Sequence, residues 1–170
     1  GFHHMLLKGG TMYDPLVKVP LIVKWPGRRE GSQSEALVST VDVAPTILAA
    51  AGVEPEGPMA GLDLAAAPAG HDAIFCEQGR GRDLMVRTAG RKLLLGADGR
   101  TALFDLEADP LEMTDVAGDS AHADDVAALR ERAAHWALFE TVPPTHLDEQ
   151  APIIDAPNAY SRSRMDFAFA

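Results

Sequence analysis

One cysteine, Cys76, stands in the 170 residues of the sequence. A disulfide within the chain needs two, and a thiolate zinc site needs more, so neither is available here. No apolar run reaches about 18 residues, the length a membrane-crossing helix requires. Cations are also scarce. The 15 Lys and Arg are outnumbered by 25 Asp and Glu, for a formal net charge of −10. An acidic chain of this kind has no broad basic face to offer the phosphates of a nucleic acid. The opening residues Gly1-Phe2-His3-His4 lack both an initiator methionine and the pattern of a signal peptide, and suggest a sequence that begins inside a longer protein.

At 46% hydrophobic and 24% charged, the chain has the make-up of an ordinary globular protein with one core. Its charge is unevenly spread. Residues 1–30 carry five cations and two anions, whereas residues 98–131 carry ten anions and two cations. A basic end on an acidic protein suits an anionic small molecule, although solvated surface of uneven charge gives the same pattern.

Residues 1–13 read as an irregular loop leading to Lys8-Gly9-Gly10, where paired glycines permit a sharp turn or a close backbone approach to a ligand. Val19-Pro20-Leu21-Ile22-Val23-Lys24-Trp25, stopped by Pro26-Gly27, predicts a strand buried on both faces, as in a parallel sheet. A lone strand of this type needs partners from upstream or from another chain. A helix follows, with Thr40 or Asp42 as N-cap, Pro45 in its first turn and Gly52 as its terminator. Residues 53–70, with three prolines and three glycines, form a connector and the natural internal boundary.

Beyond it the texture changes. Residues 73–76, 84–88, 92–95 and 102–106 are short apolar runs spaced by glycine-containing turns, the pattern of an antiparallel meander. Residues 120–140 predict an amphipathic helix capped by Ser120, burying Val126, Leu129, Ala133, Trp136 and Leu138-Phe139. Residues 143–170 hold four prolines and little periodicity, and read as an extended tail. The expected divisions are therefore 1–70, 71–142 and 143–170.

The order of these pieces resembles a known family. Gly1-x-His3-x4-Lys8-Gly9, Met12-Tyr13-Asp14-Pro15 and Val19-Pro20-Leu21-Ile22-Val23-x-Trp25-Pro26-Gly27 look like the C-terminal half of a sulfatase of the alkaline-phosphatase superfamily. Val41-Asp42-x-x-Pro45-Thr46-x-Leu48 with Ala51-Gly52, Gly61-Leu62-Asp63-Leu64 and Leu103-Phe104-Asp105-Leu106-x-x-Asp109-Pro110-x-Glu112 continue the match in order. The resemblance covers about residues 1–140. It implies an α/β protein: the C-terminal part of an alkaline-phosphatase-like fold, with a small four-stranded antiparallel sheet packed by one helix.

The resemblance also implies hydrolysis of a small-molecule sulfate ester by a formylglycine nucleophile, made from the cysteine of a C-x-P-x-R motif. A divalent cation, usually calcium, assists it. Neither the nucleophile nor the cation's carboxylates fall in this sequence, so both, with the N-terminal part of the enzyme, are expected outside it. Lys8 is then the residue that contacts the sulfate group and helps the leaving group depart. An ammonium flanked by glycines can stabilise charge building on the leaving oxygen. Without the resemblance, Lys8 reads as a surface lysine. His3 is implied either to act on loop or substrate through its imidazole or to give structural support. His4 is expected to line the substrate cleft. Adjacent histidines seldom ligate one ion, so His3-His4 is not read as a metal site.

Cys76-Glu77-Gln78-Gly79-Arg80 mimics C-x-P-x-R, but Gln78 stands in the proline's place and the run is a strand, so Cys76 reads as a small core residue. Asp42 and Asp105 read as a helix cap and a turn residue. The acidic stretch from Asp105 to Asp125 lacks the ligand ladder of a calcium loop. Trp25 and Trp136 read as core. Two other functions stay open: a phosphodiesterase or phosphonate monoester hydrolase of the same superfamily, and a non-catalytic binding or assembly module.

Overall fold

Four five-residue strands carry the alternation that the sequence announces. In the computed structural model, which describes residues 3, 11–27, 29–78 and 83–140, they are β1 (Ile74–Gln78), β2 (Asp83–Arg87), β3 (Arg91–Leu95) and β4 (Thr101–Asp105). They pair antiparallel in chain order β1-β2-β3-β4, a meander. At the β2–β3 hairpin Thr88 N–H donates to the Arg91 carbonyl at 2.9 Å, leaving Ala89-Gly90 as the turn. Gly99, at φ +86°, supplies the left-handed residue of the β3–β4 connection.

The register sorts the side chains into two faces. Phe75 pairs with Val86, Val86 with Leu93, and Leu93 with Leu103, so these four share one face. Val86, Leu93 and Leu103 are completely buried there, together with Leu129 and Ala133 of the helix α1 (Ala123–His135). Burying each large side chain stabilises the fold by roughly 1.5–3 kcal/mol. The opposite face carries Arg87, Lys92 and Phe104 in one cross-strand row, and this row is also covered. Both faces of a small sheet are therefore packed.

Helix α1 begins after a short 3₁₀ turn, Ser120–His122, which the Asp119 carboxylate caps by accepting from Ala121 N–H at 2.9 Å; the N-cap residue of α1 itself is His122, not the expected Ser120, and makes no side-chain capping bond. Its buried stripe ends sooner than the sequence suggests. At Trp136–Glu140 the chain widens to π-helical spacing. Trp136 stacks on Phe75 at 5.1 Å and stays half-buried, but Leu138 and Phe139 are 72% and 75% exposed. The wider turn carries them past the sheet.

The expected strand at 19–25 is not formed. These residues carry no ladder, and Ile22 is 93% exposed, because a strand is defined by its hydrogen-bonding neighbours and none of the described residues provides them. Trp25 is half-buried and stands outside the core cluster. Helix α2 (Val43–Ala51), preceded by a 3₁₀ turn at Thr40–Asp42, ends as expected at Gly52 in the left-handed conformation, φ +67°. The connector 53–70 returns to a single parallel bridge between Leu37 and Gly70. The tail 143–170 and the glycine-rich turn 79–82 lie outside the described residues.

Candidate active-site segment and its anchors

The segment singled out by the sequence, His3 to Asp14, is described at His3 and from Thr11 onward; Lys8 and His4 lie outside the described residues. The two described ends come together. The His3 imidazole stacks on the Tyr13 ring at 4.1 Å with an interplanar angle of 6°, and the Tyr13 ring meets Phe104 of β4 edge-on at 5.7 Å. His3 has φ +51°, an uncommon backbone conformation for a residue with a side chain. Met12 is buried beside them.

The next residue, Asp14, opens a single helical turn, Asp14–Val17, with Pro15 following it in the first turn. Its Oδ1 accepts from Lys92 Nζ at 2.8 Å, and its backbone N–H donates to Glu112 Oε2 at 2.7 Å. Glu112 Oε1 lies 2.6 Å from the same Lys92 ammonium, and Arg87 Nε stands 3.7 Å from Asp14 Oδ1. Lys92 is completely buried and Glu112 nearly so. Burial pushes the Asp14 carboxyl up, but the Lys92 hydrogen bond and the charges of Lys92, Arg87 and Lys18 outweigh it and hold the carboxyl below its ordinary value. Two cations and two anions meet in one place, so the buried charges are balanced.

A second buried carboxylate organises the 40–71 region. Asp42 is fully buried; Oδ2 accepts from Ser39 N–H at 2.7 Å, Oδ1 from Leu62 N–H at 2.8 Å, and His71 Nε2 lies 2.8 Å away. Asp42 thus sits at the start of α2 without bonding to that helix's own N–H groups; it ties three chain segments together instead. Burial raises its carboxyl, and the Ser39, Leu62 and His71 contacts outweigh that and leave it lowered. Gly61 packs so closely on Val41 that a Cβ there would overlap the Val41 carbonyl and stand 2.8 Å from the Asp42 Cα.

Asp105 is the turn residue the sequence suggests, accepting from Glu107 N–H at 3.0 Å, and it also pairs with Arg91 at 2.8 Å. Cys76 is half-buried on β1, and burial together with Glu77 pushes its thiol up, the opposite of an activated nucleophile. Among the described residues no three His, Cys, Asp or Glu side chains gather as a metal site.

Lys92, Arg87 and Glu112 have no counterpart among the site residues read from the sequence. The available signals are Lys92 inside the run Arg91-Lys92-Leu93-Leu94-Leu95, a cation where a strand interior wants an apolar residue, and the place of Glu112 at the end of the motif that begins at Leu103.

A family profile described as "N-sulphoglucosamine sulphohydrolase, C-terminal" matches residues 2–74. The uncharacterized sulfatase YidJ of Escherichia coli is 31% identical over 140 residues, covering 73% of this chain and 27% of that protein. Arylsulfatase K of Mus musculus is 32% identical over 126 residues, covering 63% and 23%. The chain thus spans about a quarter of the length of the curated relatives it matches. In fold it is similar to the phosphonate monoester hydrolase of Agrobacterium radiobacter, with a TM-score of 0.52 at 22% identity over 62% of this chain and 26% of that one. From the ordered motifs and these matches, the chain belongs to the sulfatases of the alkaline-phosphatase superfamily and corresponds to their C-terminal portion.

Proposed function

We propose that these residues furnish the leaving-group side of a sulfuric ester hydrolase, whose nucleophile and cation ligands lie outside this sequence. The observation that carries the reading is the Gly1-x-His3-x4-Lys8-Gly9 segment, which from its second residue onward falls within the residues matched by the sulphohydrolase profile and whose one described residue, His3, stacks on Tyr13, itself packed edge-on against Phe104 of β4. Cleaving the S–O bond of a sulfate ester leaves negative charge on the departing oxygen. The Lys8 ammonium neutralises that charge in the transition state, in a setting where Gly9 and Gly10 let backbone and substrate come close. His3 supports the loop through its stack on Tyr13, and His4 lines the cleft for the rest of the substrate.

In this reading residues 1–70 complete the catalytic α/β domain, and 71–142 form a small subdomain beside it. The apolar residues left exposed along 19–25 and on α2, with Ile22 at 93% and Ile47 at 61%, pack against the remainder of the enzyme, which also supplies ladder partners for 19–25.

The test is the product of the whole reading frame that spans these residues, assayed on an aryl sulfate, an aryl phosphonate and a phosphodiester. The sulfate should be turned over, and Lys8→Ala should lower kcat by about 10²–10³, the effect of losing one preorganised charge-stabilising contact. The 170 residues alone should show no turnover, because nucleophile and cation are missing. Preference for a phosphorus ester, or a Lys8→Ala enzyme with unchanged kcat, overturns the reading.

A further inference from the structure

We propose that Lys92, Asp14 and Glu112 form a register lock: their buried charges decide which of two alignments β3 takes in the sheet. The strand's own sequence, Arg91-Lys92-Leu93-Leu94-Leu95, leaves that choice open. Three leucines in a row carry no period-two alternation, so the apolar pattern alone does not say which of them faces the core. In the structure Leu93 does, paired with Val86 on one side and Leu103 on the other and completely buried.

Advancing every β3 position by one residue gives an alternative of ordinary geometry. Leu94 takes the place of Leu93, Leu93 that of Lys92, and Leu95 that of Leu94. Lys92 moves to the half-buried start of the strand, where Arg91 now meets Asp105 at 2.8 Å and Asp125 at 3.1 Å. The turn at Ala89-Gly90 grows to three residues and the connection 96–100 shortens to four, both common hairpin lengths. Gly96 in the place of Leu95 is the one apolar loss. The shift even separates Lys92 from Arg87, two like charges that stand directly opposite each other in the native alignment.

The two carboxylates reject that alternative. In the native alignment the Lys92 ammonium is completely buried, 2.8 Å from Asp14 Oδ1 and 2.6 Å from Glu112 Oε1. Contacts outside β3 help to place the carboxylates: Glu112 Oε2 accepts from Asp14 N–H at 2.7 Å, and Tyr13, beside Asp14, packs on Phe104 of β4. In the shifted alignment both would face Leu93, and their nearest cation would be Arg87, whose Nε is 3.7 Å from Asp14. Breaking a buried ion pair in this way disfavours a state by about 10²–10³-fold, enough to hold β3 in one alignment.

Moving the charge tests the lock. In the 170-residue chain, Lys92→Leu combined with Leu93→Lys should shift β3 by one residue, because only the shifted alignment returns the ammonium to Asp14 and Glu112. Cross-strand contacts measured by NMR read the register: Val86 and Leu103 should both face Leu94, in about tenfold excess or more over the native pairing. A second variant removes the anions instead. Asp14→Asn with Glu112→Gln strands Lys92 in the native alignment, and β3 should shift in the same direction, bringing Lys92 to Asp105 and Asp125. The unsubstituted chain should show Val86 and Leu103 paired with Leu93 alone. A shift in either variant upholds the lock. Native pairing or loss of the sheet in both overturns it, since an alternative alignment of comparable stability would then not exist.

Discussion

Asp42→Asn isolates what one buried carboxylate contributes to this fold. The side chain is fully buried and accepts from Ser39 N–H at 2.7 Å, Leu62 N–H at 2.8 Å and His71 Nε2 at 2.8 Å. An amide of the same shape keeps one acceptor oxygen and turns an NH₂ toward the other backbone N–H. One donor is then left without an acceptor, which costs about 1–3 kcal/mol, and the surviving bond loses its charge assistance, about 1 kcal/mol more. The His71 contact adds little, because 22% of its side chain is exposed and water replaces the lost partner. The expected loss is about 2–4 kcal/mol at pH 7, or roughly 10 °C in Tm for a chain of this size.

Urea melts followed by the fluorescence of Trp25 and Trp136 and by far-UV circular dichroism measure it. The pH dependence gives an independent check. The Asp42 carboxyl is lowered in the folded protein, so its stabilisation is complete above the unfolded value of about 3.9 and is lost as pH falls through the lower folded value. The gap between the wild type and Asp42→Asn should stay constant from pH 8 to about 5 and narrow below about pH 4. Midpoints that agree within 0.5 kcal/mol at pH 7, or a gap that persists undiminished in acid, would refute the reasoning.

Gly61→Ala should destabilise by about 2–3 kcal/mol, since its Cβ meets the backbone of Val41 and Asp42 and not a side chain that can move aside; a melt unchanged from wild type contradicts this. The Cys76 thiol, half-buried and pushed up by burial and Glu77, should react with iodoacetamide at pH 8 at least tenfold more slowly than glutathione and match it in urea. Fast alkylation of the folded chain argues against a structural cysteine.

Much of the architecture is written locally. The four strands fall within a residue or two of the apolar runs, because period-two alternation and glycine turns act over a few neighbouring residues. Gly52 ends α2 as its left-handed conformation allows, and the motif order from Gly1 to Glu112 is enough to suggest the family. What tertiary structure decided is which partner each element finds. The run at 19–25 has the composition of a buried strand, but a ladder requires a neighbour, and composition alone does not make one. Leu138 and Phe139 have the right spacing for the core, yet a π-helical turn carries them out of it. Lys92 and Asp14 are 78 residues apart in sequence and 2.8 Å apart in space, and Asp42 and His71 are 29 apart and equally close. Neutralising a buried charge is a long-range event, set by how the strands register and which face is covered, and a residue pattern that extends over one or two turns carries no record of it.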